Sequence, residues 1–196
     1  MPSQIFFSRG FLPSRALCLT TPRLALTPLS RVETELYLTD VRAFARALGL
    51  SAAPLDPDPE SSAAANWCVE YGLRLDAVAS VWGAFWGVFD RTARTLVGNL
   101  GFKGVPEGGV AEVGYAIDAP YRGRGYMTES LRALAAWGRE RSDLRSIVAE
   151  TYADNLASQK ALANAGFLPV VNPREKDGPL FWRLDVFCAA RRERPS

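Results

Sequence analysis

The chain has 196 residues, 48% of them hydrophobic and 22% charged, with a formal net charge of +2. These values suit one globular domain with a sizeable core, give no footprint for nucleic acid, and include no apolar run near the ~20 residues that a bilayer span requires. Cys18, Cys68 and Cys188 stand far apart in no metal spacing and there is no histidine, which argues against a zinc site or disulfide framework and leaves acid–base work to carboxylates, hydroxyls, water or main chain.

Residues 1–19 carry Arg9 and Arg15, several serines and aromatics, and no acid before Glu33. Gly10 and Pro13 interrupt any amphipathic helix there, so a flexible extension or an upstream start choice is expected rather than a transit peptide. Leu36, Val41, Phe44, Ala45 and Leu48 recur at mostly helical spacing and predict a helix over Val32 to Leu48. Pro54, Pro57 and Pro59 mark a loop. A second helix is expected from about Ser62 to Leu75, with Trp67, Tyr71 and Leu75 on one side. Trp82 to Phe89 and Thr95 to Phe102 alternate as a hairpin around Asp90 to Arg94, and Gly98, Gly101 and Gly104 signal a bulge or a close approach.

Val110 to Ile117 reads as a central strand that feeds the string Asp118-Ala119-Pro120-Tyr121-Arg122-Gly123-Arg124-Gly125-Tyr126-Met127-Thr128-Glu129. Leu131, Leu134, Ala135 and Trp137 then supply helical apolar spacing. A strand that enters a basic glycine turn and opens a helix is an anion site: the first helical turn leaves N–H groups unpaired at the positive end of the macrodipole. Gly123 and Gly125 let the backbone come close to a guest, and Arg122 and Arg124 add charge; a pyrophosphate fits. A P-loop is excluded because no lysine lies between Lys103 and Lys160. A dinucleotide fingerprint lacks its third glycine, since Thr128 stands there, although Glu150 sits near the spacing of its acidic partner.

Further on, Ser146 to Ala149 predicts a buried strand. Asp154 or Asn155 can cap a helix lined by Leu156 and Leu162, and Gly166 can end it before a strand from Phe167. Residues 172–178 form a charged loop, Leu180 to Phe187 a closing strand, and residues 188–196 a basic tail.

These strings together resemble the GNAT superfamily of N-acetyltransferases, in particular the branch that includes the ribosomal-protein N-terminal acetyltransferases. The family's pyrophosphate signature falls on Arg122, Gly125 and Met127, where Met127 departs from the usual Gly or Ala. Its second motif matches Asn155, Ser158, Gly166 and Phe167. Thr20 to Leu29 is similar to the branch's first strand, so the resemblance covers roughly residues 20 to 187, taken as one domain. It implies an α/β fold: a mixed, mostly antiparallel sheet of about seven strands with four flanking helices, splayed at strands 4 and 5. The two early helices and their loop would form one wall of the acceptor site.

The resemblance also implies direct transfer of acetyl from acetyl-CoA to an amine, without an acyl-enzyme or a metal. Acetyl-CoA would be held by Arg122, Gly123, Arg124, Gly125, Tyr126, Met127 and Thr128, with pantetheine along Tyr115, Ala116 and Ile117 and contacts from Asn155 and Ser158. Many relatives place a proton-donating tyrosine seven residues after the Asn; here Leu162 stands there, which points to Ser158 or a water it holds. Glu150 and Glu112 are the two candidate bases, while Glu129 in the first helical turn suits the dipole better. The acceptor expected first is a protein or peptide α-amine, because the acceptor segments hold few acids, such as Asp56, Asp58, Glu60 and Asp177. A small amine such as an antibiotic or polyamine, or a non-catalytic CoA-binding module, is the alternative. A cytoplasmic monomer or homodimer is expected, with no nucleic-acid or membrane partner.

Overall fold

The computed structural model describes residues 11–12, 15–72, 74–75, 79–170 and 179–186. Its strands are β1 (Leu19–Thr20), β2 (Leu24–Pro28), β3 (Trp86–Asp90), β4 (Thr95–Phe102), β5 (Val110–Ile117), β6 (Ser146–Thr151), β7 (Leu168–Val170) and β8 (Leu180–Asp185). Its α-helices are α1 (Arg31–Thr39), α2 (Val41–Leu48), α3 (Pro59–Gly72), α4 (Tyr126–Arg139) and α5 (Leu156–Ala165). The eight strands form one sheet in the order β1-β2-β3-β4-β5-β6-β8-β7, antiparallel throughout except between β5 and β6. The mixed, mostly antiparallel sheet is the expected one, with one strand and one helix more than the sequence indicated.

Each addition has a local cause. Leu19–Thr20 is too short to show an alternation, so the fifth strand, not the fourth, feeds the glycine turn, and the splay lies between β5 and β6. The single helix expected over Val32 to Leu48 is broken at Asp40, whose backbone leaves the helical region at φ −151°, ψ 84°. Its carboxylate accepts from the amides of Arg42 (3.0 Å) and Ala43 (2.9 Å), so an acid placed inside an apolar period starts a new helix. The second expected helix begins three residues earlier, at Pro59, and ends at Gly72, before Leu75.

Sheet residues bury both faces. On β2, Leu24 and Leu26 join Val88, Val97, Leu131 and Leu134 under α4, while Ala25 turns to Tyr37, Phe44, Phe85 and Leu96 beneath α1 and α2. Each large side chain removed from water here contributes about 1.5–3 kcal/mol. A bulge between Val88 and Phe89 inserts Val97 as an extra residue in β4. Beside it, a Cβ on Gly98 would come within 2.3 Å of the Ala116 oxygen, so glycine is required for β4 to lie against β5 there.

Residues on the N-terminal side of β2 are tied into this frame. The Arg15 guanidinium makes two 2.8 Å bonds to Glu33, and the Thr27 hydroxyl donates to the Leu17 carbonyl. Residues 1–10, the charged loop 172–178 and the tail 188–196 lie outside the described residues.

Candidate active site

The site is set by the divergence of β5 from β6. Only Val110, Ala111 and Glu112 pair with β6, opposite Ser146, Ile147 and Val148; beyond them the strands part. On its other edge β5 stays paired with β4 as far as Ile117. Lys103 N–H donates to the Glu112 carbonyl and Asp118 N–H to that of Val97, so even-numbered residues of β5 bond to β4. Antiparallel alternation then turns the backbone groups of Tyr115 and Ile117 toward the open gap. Of the three residues expected along a pantetheine chain, Tyr115 and Ile117 present their main chain to the gap, and Ala116 is committed to Asn99.

At the end of β5 the glycine turn takes the expected form. Gly123 and Gly125 both sit at φ +75°, a left-handed backbone that disfavours side chains. Gly125 is the N-cap of α4, and among the described residues no side chain caps the N–H groups of that first turn, so they face an anion with no competing side chain there. A Cβ at Gly123 would meet nothing within 4 Å, which leaves the outer side of the turn open. Met127 is buried in the core, so only its main chain faces the turn, and its departure from the usual small residue costs no access. Tyr126 is also buried, and its hydroxyl donates to Asp90 at 2.6 Å. Thr128 is half-buried in the same helical turn.

The two arginines are partly spoken for. Arg122 donates to the Ile117 carbonyl at 2.8 Å, and Arg124 donates to the Pro120 carbonyl at 3.0 Å and lies over the Tyr121 ring. Both remain exposed at the turn. Beneath it sits a clamp that sequence reasoning missed: Arg23 bonds the Arg124 carbonyl at 2.9 Å and pairs with Glu129 at 2.7 Å, while Thr21 donates to the same carboxylate. Burial acts to raise the Glu129 pKa, but the bonds from Thr21 and Arg23 outweigh it and the net shift is downward. Glu129 therefore ties α4 to the β1–β2 corner.

One flank of the gap carries hydroxyls. Asn155 caps α5, its side-chain oxygen accepting from Ser158 N–H at 3.0 Å. Capping aims Ser158 at the gap, where its Oγ lies 2.8 Å from the Tyr115 hydroxyl. Burial raises the Tyr115 pKa and the Ser158 bond opposes it, with a net rise, so this pair is a neutral donor network at ordinary pH. Leu162 is fully buried and offers no proton, as its identity implied.

The opposite face of the sheet carries the carboxylates. Glu112 and Glu150 are brought together around one cation: Lys103 Nζ pairs directly with Glu112 and lies 3.9 Å from Glu150. A wall over this face is built by α3, whose Trp67 and Tyr71 rings stack at 4.5 Å, with the Tyr71 hydroxyl close against Gly104. Deeper, the Asn99 amide donates to Ser61 at 3.1 Å. Asp118 there is raised by burial and further by Asp58, against a lowering by Arg122. Asp118 and Lys103 carried no recognisable signal, because Asp58 and Glu150, which complete their surroundings, are distant in sequence. Cys68 packs in the core, where burial pushes its thiol up to about 12, and Cys18 is a half-buried free thiol.

Comparison with known proteins identifies the family and the fold. The family description "Acetyltransferase (GNAT) domain" matches residues 23–168. An uncharacterized N-acetyltransferase YjdG of Bacillus subtilis is 36% identical over 84 residues, which is 42% of this chain and 50% of that protein, so the match spans about half the length of the relative. Among solved structures, a ribosomal-protein-serine acetyltransferase described as putative, from Vibrio cholerae, superposes with a TM-score of 0.58 at 21% identity, covering 88% of this chain and 99% of that one. RimL, a ribosomal L7/L12 alpha-N-protein acetyltransferase in complex with coenzyme A, gives a TM-score of 0.60 at 17% identity over 86% and 98% of the two chains. These last two likenesses establish the fold, and the family match across both motifs establishes the membership: the chain belongs to the GNAT acetyltransferase family.

Proposed function

We propose that this protein transfers acetyl from acetyl-CoA directly to a primary amine, with the α-amine of a protein or peptide as the acceptor class. The observation that carries the reading is the division of the gap: a phosphate-ready turn at its mouth, donor hydroxyls on one side and carboxylates on the other. Acetyl-CoA would supply an activated thioester and a good thiol leaving group. The amides of Gly123 to Thr128 bind its pyrophosphate, and the Tyr115 and Ile117 main chain orients the pantetheine arm. Glu112 or Glu150, directly or through water, accepts the proton of the incoming ammonium. Ser158, polarised by Tyr115, returns a proton to sulfur. A peptide acceptor accords with the open face beside α3, with its stacked aromatic wall, and with the L7/L12 activity stated for RimL.

The test is a screen of amines and N-terminal peptides with detection of released thiol, alongside calorimetry with acetyl-CoA. Binding in the micromolar range, abolished by Gly125→Glu, and turnover with peptide α-amines are expected. Tight binding without turnover on any amine would make the chain a CoA-binding module. Undiminished binding by Gly125→Glu would remove the glycine turn from the site.

A further inference from the structure

Lysine is scarce in this chain: Lys103, Lys160 and Lys176 are the only three among 23 basic residues. Lys103 lies where β4 ends, and it is the residue that holds both candidate bases. Its Nζ pairs with Glu112 and lies 3.9 Å from Glu150, and its side chain is 52% exposed. Its stem runs along β5 toward the splay, since Cε is 3.8 Å from where a Cβ on Gly114 would stand, one residue before Tyr115. An amine is thus held against two carboxylates, beside the stretch of strand from which the pantetheine arm would be read. Solvent-exposed ion pairs of this kind are worth at most about 1 kcal/mol, so the contact does not lock the amine in place.

We propose that Lys103 is itself an acetyl acceptor of this site, so that the protein carries a built-in modification point in its acceptor cleft. The inference rests on the transferase reading above. Glu112 or Glu150 takes a proton from the Lys103 ammonium, and the freed Nζ lone pair attacks the thioester carbonyl carbon. The C–N bond forms, the C–S bond breaks, and the sulfur leaves as the thiol with a proton from Ser158 or water, which is replaced by the second proton that Nζ sheds as the amide forms. The product is an uncharged amide at Nζ, coenzyme A with a free thiol, and one proton released to solvent. Because acetylation removes the cation that Glu112 and Glu150 share, the modified protein presents two carboxylates at this edge with no lysine charge between them.

The experiment incubates the full chain with carbon-13-labelled acetyl-CoA and maps new label by peptide mass spectrometry, with a peptide α-amine supplied in parallel. Lys160, exposed on α5 across the sheet, reports background chemical acetylation. Label at Lys103 is expected about tenfold or more faster than at Lys160, as held geometry gives over random encounter. Its rate per molecule should be independent of protein concentration, and Gly125→Glu should bring it down to the Lys160 rate. Lys103→Arg should abolish label at that peptide and leave label at Lys160 as it was. If Lys103 labels no faster than Lys160 in protein that acetylates the added peptide, the inference fails and the transferase reading stands. If neither Lys103 nor the added peptide is labelled, the transferase reading fails and takes the inference with it. Equal label at Lys103 in Gly125→Glu, or a rate that grows with protein concentration, overturns an internal acceptor.

Discussion

At the scale of single residues, strand parity puts the hydroxyls and the carboxylates of the candidate site on opposite faces of the sheet. Tyr115 and Ser158 meet on the α4–α5 side of the sheet, while Glu112 and Glu150 stand on the other; in the proposed reaction an acceptor and a leaving thiol would then be served without exchanging protons with each other. Ser158→Ala should therefore lower kcat for thiol release by about a hundredfold, the lower end of a general-acid contribution, with the KM for acetyl-CoA changed only a few-fold. Tyr115→Phe keeps the ring and removes only the partner hydroxyl, and a smaller fall is expected. Steady-state thiol assays on the two variants check this, and a Ser158→Ala enzyme within twofold of the parent would return the proton to water alone. Glu33 offers a different test, of stability. Burial acts to raise its pKa, but the Arg15 guanidinium and the Ser30 amide bond its ionised form, and the net shift is downward. A carboxylate lowered on folding stabilises the native state above its unfolded value of about 4.3, and that contribution is lost as pH falls through the folded value. Glu33→Gln keeps the capping geometry of α1 and removes the charge. Urea titrations should find the variant less stable at pH 7, with the gap closing as the pH falls below about 4; a gap that stays constant with pH would mean that the ion pair is not its source.

At the scale of elements, helix ends decide where functional groups point. Asn155 and Gly166 bracket α5 by an Asx cap and a left-handed glycine at φ +97°, and the ends were legible, the first as Asp154 or Asn155 and the second as Gly166, because capping chemistry is local. So was β5, whose alternation gave its bounds from Val110 to Ile117. Asp40 was not legible as a break, because its side chain competes for amides inside a stretch whose apolar period continues from Leu36 to Leu48. Asp40→Ala should cost about 1 kcal/mol in denaturant unfolding, the usual worth of such a cap, without altering acetyl-CoA binding. A loss well below half of that would show that α1 and α2 hold their angle through Tyr37 and Phe44 packing instead. The Arg23–Glu129 clamp and the Lys103 bridge were invisible for a different reason. Their partners are 106 residues apart in the first case, and in the second Glu150 reaches Lys103 only through the pairing of β6 with β5, although Glu112 is nine residues away. Periodicity and motif spacing report what a segment does for itself, and these contacts exist only once β1–β2 and β4–β6 have been assembled.

At the scale of the molecule, the sheet is nearly two sheets. β1 to β5 form one half and β6, β8 and β7 the other, and the halves share three paired positions before they part. The helices reinforce the join on one side, where α4 packs on β1, β2, β5 and β6 and also meets α5. A ligand lying in the gap would pair with the exposed edge of β5 and fill the space between the halves, so its binding should act on the whole fold and not only on the turn. At a concentration a hundredfold above Kd, acetyl-CoA should add about 2.7 kcal/mol to unfolding stability and raise Tm by several degrees. Protection from hydrogen exchange should grow at the Tyr115 and Ile117 amides, which face the gap, while Ala116, already bonded to Asn99, should change little. Gly125→Glu should abolish the Tm rise and the added protection together, since both depend on seating the pyrophosphate. A Tm rise that survives in that variant, or protection confined to Ala116, would place the ligand outside the splay. A Tm rise with no added protection at Tyr115 and Ile117 would leave the pyrophosphate turn as the point of attachment.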